Sequence, residues 1–351
     1  MLFGQVTDTR IPVKPSGFRL AADPMSNPLP ASSDASHDHA QRLAWRALLA
    51  AAQWAREQGD GARSELAFGL DASGRLAATQ DDGPQAWLHW RPGSGWEMGA
   101  SAPPGARALL DLYLPICAAS AQRPLTVGHL GQSLDGYIAT ASGDSYYVTG
   151  PQNVRHLHRM RALCDAVIVG AETVARDDPK LTVRHAEGSN PVRVILDPRR
   201  RLGSDRRVFS DSAARTIVVC DQAAARTSVA AGFAEILAVP SRAGRLSLDE
   251  LVRALHARGL YSVFVEGGGA TVTGFLEAGL LDRVHVAIAP LFTGSGRPGI
   301  RLPARDKIAD CLRPAYRLFA MGGDVLFDCD LRASAAEPPA DGSQGDLSRV
   351  F

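Results

Sequence analysis

The sequence lacks an excess of either charge, because 38 Lys and Arg residues are balanced by 37 Asp and Glu residues. A near-neutral chain gives no electrostatic reason to expect nucleic acid or an anionic membrane as a partner. The sequence also lacks a run of about 18 apolar residues, which a transmembrane helix would need. Its N-terminus has no continuous apolar segment of the kind found in signal peptides. These absences predict a cytoplasmic protein that binds neither nucleic acid nor a membrane.

Cysteine is scarce and scattered, so the sequence offers no metal-binding cluster. No C-x-x-C pair or similar spacing occurs among the five cysteines, which are Cys117, Cys164, Cys220, Cys311 and Cys329. One short match, His185-Ala186-Glu187, spells the zinc and acid/base element of nucleotide deaminases, but the chain has no P-C-x-x-C segment to complete it. We interpret that match as a coincidence, and we expect reduced thiols and no bound metal.

The length of 351 residues suits one large domain and one smaller one. Residues 1–35 lack periodicity and are expected to form a flexible leader. A helical pattern over 36–57, short alternating runs over 64–99 and a second helical segment over 105–119, interrupted by Pro115, predict a small α+β domain over 36–122. A larger domain is expected over 123–331, followed by a disordered tail over 332–351.

From Pro124 onward, short β-branched runs alternate with helical segments. The predicted strands are Leu125–Leu130, Ala166–Val169, Val192–Leu196, Thr216–Val219, Glu235–Val239, Ser262–Val265, Val284–Ala289 and Val325–Phe327. The predicted helices are Pro151–Leu163, Leu248–Arg258 and Ala270–Ala278, and Ser247 with Glu250 forms a capping box before the second. Alternation of this kind predicts an α/β fold with a largely parallel sheet.

The strongest local motif is a strand that runs into three glycines and then into a helix, Ser262 to Thr271. Glycines let a phosphate approach the backbone, and the N-terminus of a helix attracts anions. The motif differs from the G-x-G-x-x-G fingerprint, so a plain tight turn is the alternative. Glu266 ends the strand, where α/β proteins place their ligands, although it is also compatible with a surface carboxylate.

Each of three further polar segments is compatible with two interpretations, one functional and one structural. Gly170–Arg184, with adjacent Asp177 and Asp178, is either part of a polar site or an Asp-Asp-Pro turn. The segment from Gly131 to Tyr147 forms either the wall or lid of a cleft or a pair of turns. Arg199–Arg201 is either a solvated basic turn or a site for the 2′-phosphate of NADP.

Taken in order, these motifs resemble the reductase domain of the riboflavin-biosynthesis deaminase/reductase (RibD-type) family. The matching series is S-L-D-G, A-S-G-D-S, a helix with Arg161, G-A-E-T-V-x-x-D-D-P-x-L-T-V-R, V-I-L-D, V-E-G-G-G and I-A-P-x-x-x-G. The resemblance covers about 210 residues. It implies a dihydrofolate-reductase-like α/β fold, a homodimer, and NADPH-dependent reduction of the ribosyl group of a 5-amino-6-(5-phosphoribosylamino)uracil to a ribityl chain.

The resemblance also implies roles for individual residues. The phosphorylated pyrimidine substrate is expected to contact Ser145, Arg161, Leu181, Arg184 and Glu266. NADPH is expected to contact Gly131, Tyr147, Thr173, Asp177, Gly268, Gly269, Ala270, Thr271 and Gly274. Asp177 or Glu266 would handle the proton that accompanies hydride transfer.

The chain departs from the family pattern in four places. His129 stands where the family usually has Lys, Tyr147 where some members have Trp, and Pro198 where Ser or Thr often follows the strand. The fourth departure is the N-terminal region, which lacks the zinc ligands of the family's deaminase. We expect no deaminase activity there; a decayed relic, a dimerisation or regulatory module and a partner surface remain open. The alternatives for the larger domain are a reductase of another heterocycle, such as a dihydropteridine, and a non-catalytic NADPH sensor.

Overall fold

The computed structural model describes residues 35–71, 75–79, 86–146, 148–226 and 232–334. Of the predicted leader, only residue 35 lies within these ranges. Of the predicted tail, only residues 332–334 do. Tyr147 also lies outside the described residues. Among the described helices, none has the length and apolar character that crossing a membrane requires.

Residues 35–122, called the N-terminal unit below, form two helices and a four-stranded antiparallel sheet of order β2-β1-β3-β4. The elements are α1 (Ala35–Gln58), a 3-10 turn (Gly59–Gly61), β1 (Leu66–Leu70), β2 (Leu76–Thr79), β3 (Leu88–Arg91), β4 (Gly95–Met98) and α2 (Pro104–Cys117). Helix α2 continues through Pro115, contrary to the predicted interruption. Proline cannot donate to the carbonyl of Asp111, four residues earlier, and that carbonyl instead accepts from Arg317 Nη1 at 2.9 Å.

Residues 123–334, called the C-terminal domain below, contain the remaining elements. The strands are β5 (Leu125–Ser133), β6 (Tyr137–Thr140), β7 (Ala166–Gly170), β8 (Val192–Leu196), β9 (Thr216–Asp221), β10 (Glu235–Val239), β11 (Ser241–Arg242), β12 (Arg245–Leu246), β13 (Ser262–Glu266), β14 (Arg283–Ala289), β15 (Gly296–Pro298), β16 (Pro314–Met321) and β17 (Asp324–Ser334). The helices are α3 (Pro151–Leu163), α4 (Ala171–Asp177), α5 (Arg207–Ser210), α6 (Gln222–Ala225), α7 (Leu248–His256), α8 (Gly269–Glu277) and a 3-10 turn (Ile308–Asp310).

A nine-stranded sheet of order β10-β9-β8-β7-β13-β5-β14-β17-β16 organises the C-terminal domain. The strands from β10 to β14 are parallel, and the hairpin β16–β17 is added antiparallel at one edge. The predicted α/β fold with a largely parallel sheet is therefore confirmed. Because parallel strands end at the same edge of a sheet, the loops after β5, β7 and β13 converge there.

A continuous apolar core joins the N-terminal unit to the C-terminal domain. Buried residues of α1 and α2, such as Leu48 and Leu110, belong to the same cluster as Met160 of α3 and Phe264 of β13. Hydrogen bonds also cross the boundary, since Trp45 Nε1 donates to the carbonyl oxygen of Glu187 at 3.0 Å. The two parts therefore bury a common surface, and we expect them to unfold together.

This shared core predicts the effect of Leu110→Ala, which removes a fully buried side chain of α2. The cavity left behind should lower the free energy of unfolding by about 2–5 kcal/mol. All five tryptophans lie in the N-terminal unit, so their fluorescence reports that unit, whereas far-UV circular dichroism reports the whole chain. In urea titrations both signals should shift together. Leu302→Ala, at an exposed position, is the control, and separate transitions for the two signals would contradict a shared core.

Candidate active site

The smaller of two neighbouring cavities, with a volume of about 510 Å³, lies at the edge where β5, β7 and β13 end. Its wall includes most of the residues predicted to form the site: Gly131, Ser145, Thr173, Asp177, Glu266, Gly268, Gly269, Ala270 and Thr271. These residues come from four separate segments of the chain. The parallel sheet therefore brings together the segments that the motifs identified.

The N-terminus of α8 separates this cavity from a larger one of about 850 Å³. Both cavities are lined by Gly269, Ala270 and Thr271, and Gly274 lines the larger one. Gly268 precedes the helix, and no side chain caps its first turn. Free backbone N–H groups at a helix N-terminus favour an anion. The two cavities therefore lie on either side of a helix N-terminus that is suited to an anionic group.

Glu266 is held in place by Arg161 of α3. Arg161 Nε donates to Glu266 Oε2 at 2.7 Å, and its Nη2 donates to Oε1. Both side chains are mostly buried, and the third nitrogen of the guanidinium donates to the carbonyl oxygen of Thr182 at 3.1 Å. A bidentate pair of this kind fixes the carboxylate in one orientation. Arg161 does not line either cavity, so it reaches the site through Glu266.

The other two residues expected at the substrate, Leu181 and Arg184, lie on the loop after α4. Leu181 is buried with a positive φ of 55°. The backbone N–H of Arg184 donates to His158 Nδ1 at 2.9 Å, and its guanidinium donates to Thr182 Oγ1 at 2.9 Å. Burial, aided by Arg161 and Arg184, lowers the pKa of His158 to about 4, so the ring stays neutral and can accept. Neither Leu181 nor Arg184 lines the cavities, although Arg184 places a second positive charge near Glu266.

Asp177 ends α4 and lines the smaller cavity beside Arg176. Burial raises the pKa of Asp177, and this effect outweighs the opposite influence of Arg297 and Arg176. A carboxyl group with a raised pKa retains its proton to higher pH than an exposed one. Asp178, the next residue, has a left-handed backbone conformation and caps the helix, as expected of an Asp-Asp-Pro turn.

The structure adds His129 and Asn153 to the site, and neither was among the predicted site residues. Both line the smaller cavity, and His129 Nε2 lies 2.9 Å from Asn153 Oδ1. Burial, together with His285, lowers the pKa of His129 to about 4. Asn153 could have been found from helical spacing, because Asn153, Leu157 and Arg161 recur every four residues along α3. Arg297 also lines the cavity, and no sequence motif marks it.

The basic run after β8 divides between the interior and the surface. Arg200 is buried with a positive φ of 51°, and its N–H donates to the carbonyl oxygen of Asp197 at 3.0 Å. Arg199 and Arg201 are exposed. Pro198 lines the larger cavity, as do Arg245 and Arg301. The described part of the chain contains no group of three or more His, Cys, Asp or Glu side chains arranged to hold a metal ion.

Comparison with known sequences identifies one family. The RibD C-terminal domain matches residues 126–309. The 2,5-diamino-6-ribosylamino-4(3H)-pyrimidinone 5′-phosphate reductase of Methanothermobacter thermautotrophicus is 36% identical over 214 residues, which are 59% of this chain and 97% of that protein. The riboflavin biosynthesis protein RibD of Escherichia coli is 31% identical over 195 residues, which are 52% of this chain and 52% of that protein.

Solved structures resemble the C-terminal domain in the same way. A diaminohydroxyphosphoribosylaminopyrimidine deaminase/5-amino-6-(5-phosphoribosylamino)uracil reductase from Thermotoga maritima is 28% identical, with a TM-score of 0.52. The match covers 64% of this chain and 61% of that one. RibD of Acinetobacter baumannii gives a TM-score of 0.51 at 26% identity, covering 64% of this chain and 62% of that one.

The geometry of the glycine turn predicts opposite outcomes for two neighbouring substitutions. A Cβ atom on Gly269 would lie 2.2 Å from the carbonyl oxygen of Gly299, so Gly269→Ala must displace backbone. On Gly268 the nearest atoms would be 3.9 Å away. We expect Gly269→Ala to lower the free energy of unfolding by about 1–3 kcal/mol and Gly268→Ala to leave it nearly unchanged, as measured by urea titration. Equal stability of the two variants would contradict this close approach.

Proposed function

The chain belongs to the RibD C-terminal domain family, and we propose that it is an NADPH-dependent reductase of a phosphoribosylaminopyrimidine in riboflavin biosynthesis. The observation that carries the proposal is the cleft of two cavities on either side of the N-terminus of α8, with Glu266 fixed beside it. A cleft of this form accommodates a dinucleotide and a second ligand together. The relatives named above are a reductase of this kind and bifunctional proteins that contain one.

The glycine turn fits the cofactor. Its missing Cβ atoms leave room at Gly268, and the uncapped N-terminus of α8 suits the pyrophosphate. Gly131 and Thr173 would border the nicotinamide end, and Gly274 the opposite end. Arg245 and Arg301 line the larger cavity, where a 2′-phosphate would distinguish NADPH from NADH. Bound there, the cofactor would supply the hydride, and the protein supplies orientation.

The substrate would occupy the smaller cavity near Ser145, Asp177 and Glu266. The ring-opened imine form of the sugar accepts hydride at its C1 carbon, and the adjacent nitrogen takes a proton. Asp177 is the better proton donor of the two carboxyl groups, because burial raises its pKa. Both oxygens of Glu266 already accept from Arg161, so its role is to orient the substrate. Arg184 would add positive charge toward the substrate phosphate.

The test of this function combines purified protein and NADPH with two substrates in parallel: the 2,5-diaminopyrimidinone and the 5-amino-uracil forms of the phosphoribosylaminopyrimidine. Loss of NADPH absorbance, and a product heavier by two hydrogens, are expected with at least one form, and NADH should be the poorer cofactor. Tight NADPH binding without turnover of either pyrimidine would favour a sensor. Turnover of dihydropteridines alone would favour the other reductase.

The positions of Glu266 and Gly268 predict a contrasting pair of variants. Glu266→Gln keeps the shape of the side chain but removes its charge, and should lower kcat/KM for the pyrimidine at least about tenfold while the Kd of NADPH stays nearly constant. Gly268→Ala should instead weaken NADPH binding, because its Cβ would lie 3.9 Å from Ile138 and Thr173, which also line the smaller cavity. Isothermal titration with NADPH and steady-state kinetics measure both effects. Unchanged kinetics for Glu266→Gln would contradict its substrate role.

The proposal extends to a homodimer. Among the described residues, strand β16 forms one of the two edges of the large sheet, and a sheet edge is a common site of association. Apolar side chains are exposed on and before this strand, namely Ile308, Leu312 and Tyr316. Sedimentation velocity should show a dimer for the unmodified protein and a monomer for Tyr316→Lys. A monomer at micromolar concentrations of the unmodified protein would contradict the proposal.

A further inference from the structure

A chain of buried polar side chains runs beneath the smaller cavity, from the N-terminal unit to the edge of the sheet. The hydroxyl of Tyr113 on α2 lies 2.6 Å from His156 Nδ1 on α3. His156 Nε2 lies 3.1 Å from His285 Nδ1 on β14, and His285 Nε2 lies 3.2 Å from Asp328 Oδ1 on β17. All four side chains are buried.

The charge of Asp328 sets the direction of the hydrogen bonds in this chain, because its Oδ1 faces His285 Nε2 as a close polar contact, although Nε2 makes no well-aligned hydrogen bond. Burial alone would raise the pKa of Asp328, but His285 and then Arg283 lower it well below its ordinary value, so the carboxylate only accepts. A proton on His285 Nε2, facing the carboxylate, leaves Nδ1 to accept from His156. Burial lowers the pKa of His156 well below its ordinary value, so this ring is neutral and carries its one proton on Nε2. The remaining acceptor, His156 Nδ1, is left for Tyr113. Burial raises the pKa of Tyr113 to about 12, so its hydroxyl keeps the proton that it donates.

Helix α2 reaches both ends of this chain of polar contacts. Tyr113 forms one end, and Asp111, two residues earlier, accepts from Arg317 Nη1 at 2.6 Å. Arg317 also donates to Asp328 through its Nε at 3.1 Å. The carbonyl oxygen of Asp111 is available to Arg317 because Pro115 has no N–H to donate to it. The N-terminal unit is therefore part of a closed polar circuit inside the C-terminal domain.

Helix α3 connects this circuit to the cavity. Asn153, one turn before His156, accepts from His129, and the rings of His129 and His156 lie 5.3 Å apart. On the sheet, His129 is in register with Glu266 on one side and with His285 on the other. Helix α3 supplies a partner to each member of this row: Asn153 to His129, Arg161 to Glu266 and His156 to His285.

From this arrangement we infer that Tyr113 is a positioning residue for the reductase, acting through His156 on His129 and Asn153. The inference rests on the proposed function. Without the hydroxyl, His156 Nδ1 becomes a buried acceptor without its donor, and the ring gains freedom to reverse its tautomer or turn. Either change disturbs the part of α3 that holds the wall of the substrate cavity. The glycine turn lies on a different segment, so cofactor binding should be little affected.

The test uses Tyr113→Phe in the full-length protein, which keeps the buried ring and removes only the hydroxyl. We expect kcat/KM for the pyrimidine to fall about tenfold, as for one lost buried hydrogen bond, with the Kd of NADPH within twofold. Arg56→Gln is the control, because it also removes a hydrogen bond from the N-terminal unit to the C-terminal domain, to the carbonyl oxygen of Leu163 at the opposite end of α3 from Asn153. It should leave kcat/KM nearly unchanged. Equal effects of both variants would mean a merely structural role and would overturn the inference.

A double-mutant cycle with His156→Gln identifies the route. If Tyr113 acts through His156, Tyr113→Phe should have little further effect on kcat/KM in the His156→Gln background. Additive effects would contradict this route. The cycle is measured twice, once with kcat/KM and once with the free energy of unfolding. If the two substitutions are coupled in the free energy of unfolding but not in kcat/KM, a positioning role is also contradicted.

Nitrogen NMR of the histidine rings tests the same inference without turnover, so its failure is separable from that of the proposed function. The unmodified protein should show His156 as a neutral ring protonated on Nε2. Tyr113→Phe should shift the ring signals of His156 and of His129. Signals of His129 that do not change would overturn the inference even in an active enzyme, whereas an inactive unmodified protein would contradict only the proposed function.

Discussion

The register of β5 between β13 and β14 is the constraint on which the site depends. It places Glu266, His129 and His285 in one row across the centre of the sheet. Residues in register on parallel neighbours project to the same face, and here a single helix, α3, covers all three. A charged or polar group in such a row is costly unless it has a partner. The spacing of Asn153, His156 and Arg161 along α3 supplies those partners, so helix, sheet and site specify one another.

Much of the fold is predictable from sequence because each element carries its own periodicity. The strands of the parallel sheet are short apolar runs, and Pro151–Leu163 and Ser247 mark helices by local signals that tertiary contacts do not override. Strand β16 was missed because it is half exposed and begins with proline, although the Gly322-Gly323 pair before β17 is a hairpin signal. The connection of the N-terminal unit to the large domain through a common core leaves no local signal at all.

The site was predictable to the extent that its residues follow strands. The glycine turn, Asp177 and Glu266 line the cavity because the ends of parallel strands meet there. The pairing of Arg161 with Glu266 was not predictable, since the two are far apart in sequence and meet only through the packing of α3 on β13. In the sequence, His129 was identified only as a departure from the family pattern. In the structure it lies on the cavity wall and is hydrogen-bonded to Asn153.

The proposed function depends on the transfer of a hydride from NADPH to a phosphoribosylaminopyrimidine in this cleft. The most direct measurement uses NADPH carrying deuterium at the transferable position of the nicotinamide, followed by mass spectrometry and NMR of the product. One deuterium atom is expected on the C1 carbon of a newly formed ribityl chain. A product that forms without deuterium at that carbon, or no product with either form of the pyrimidine, would contradict it.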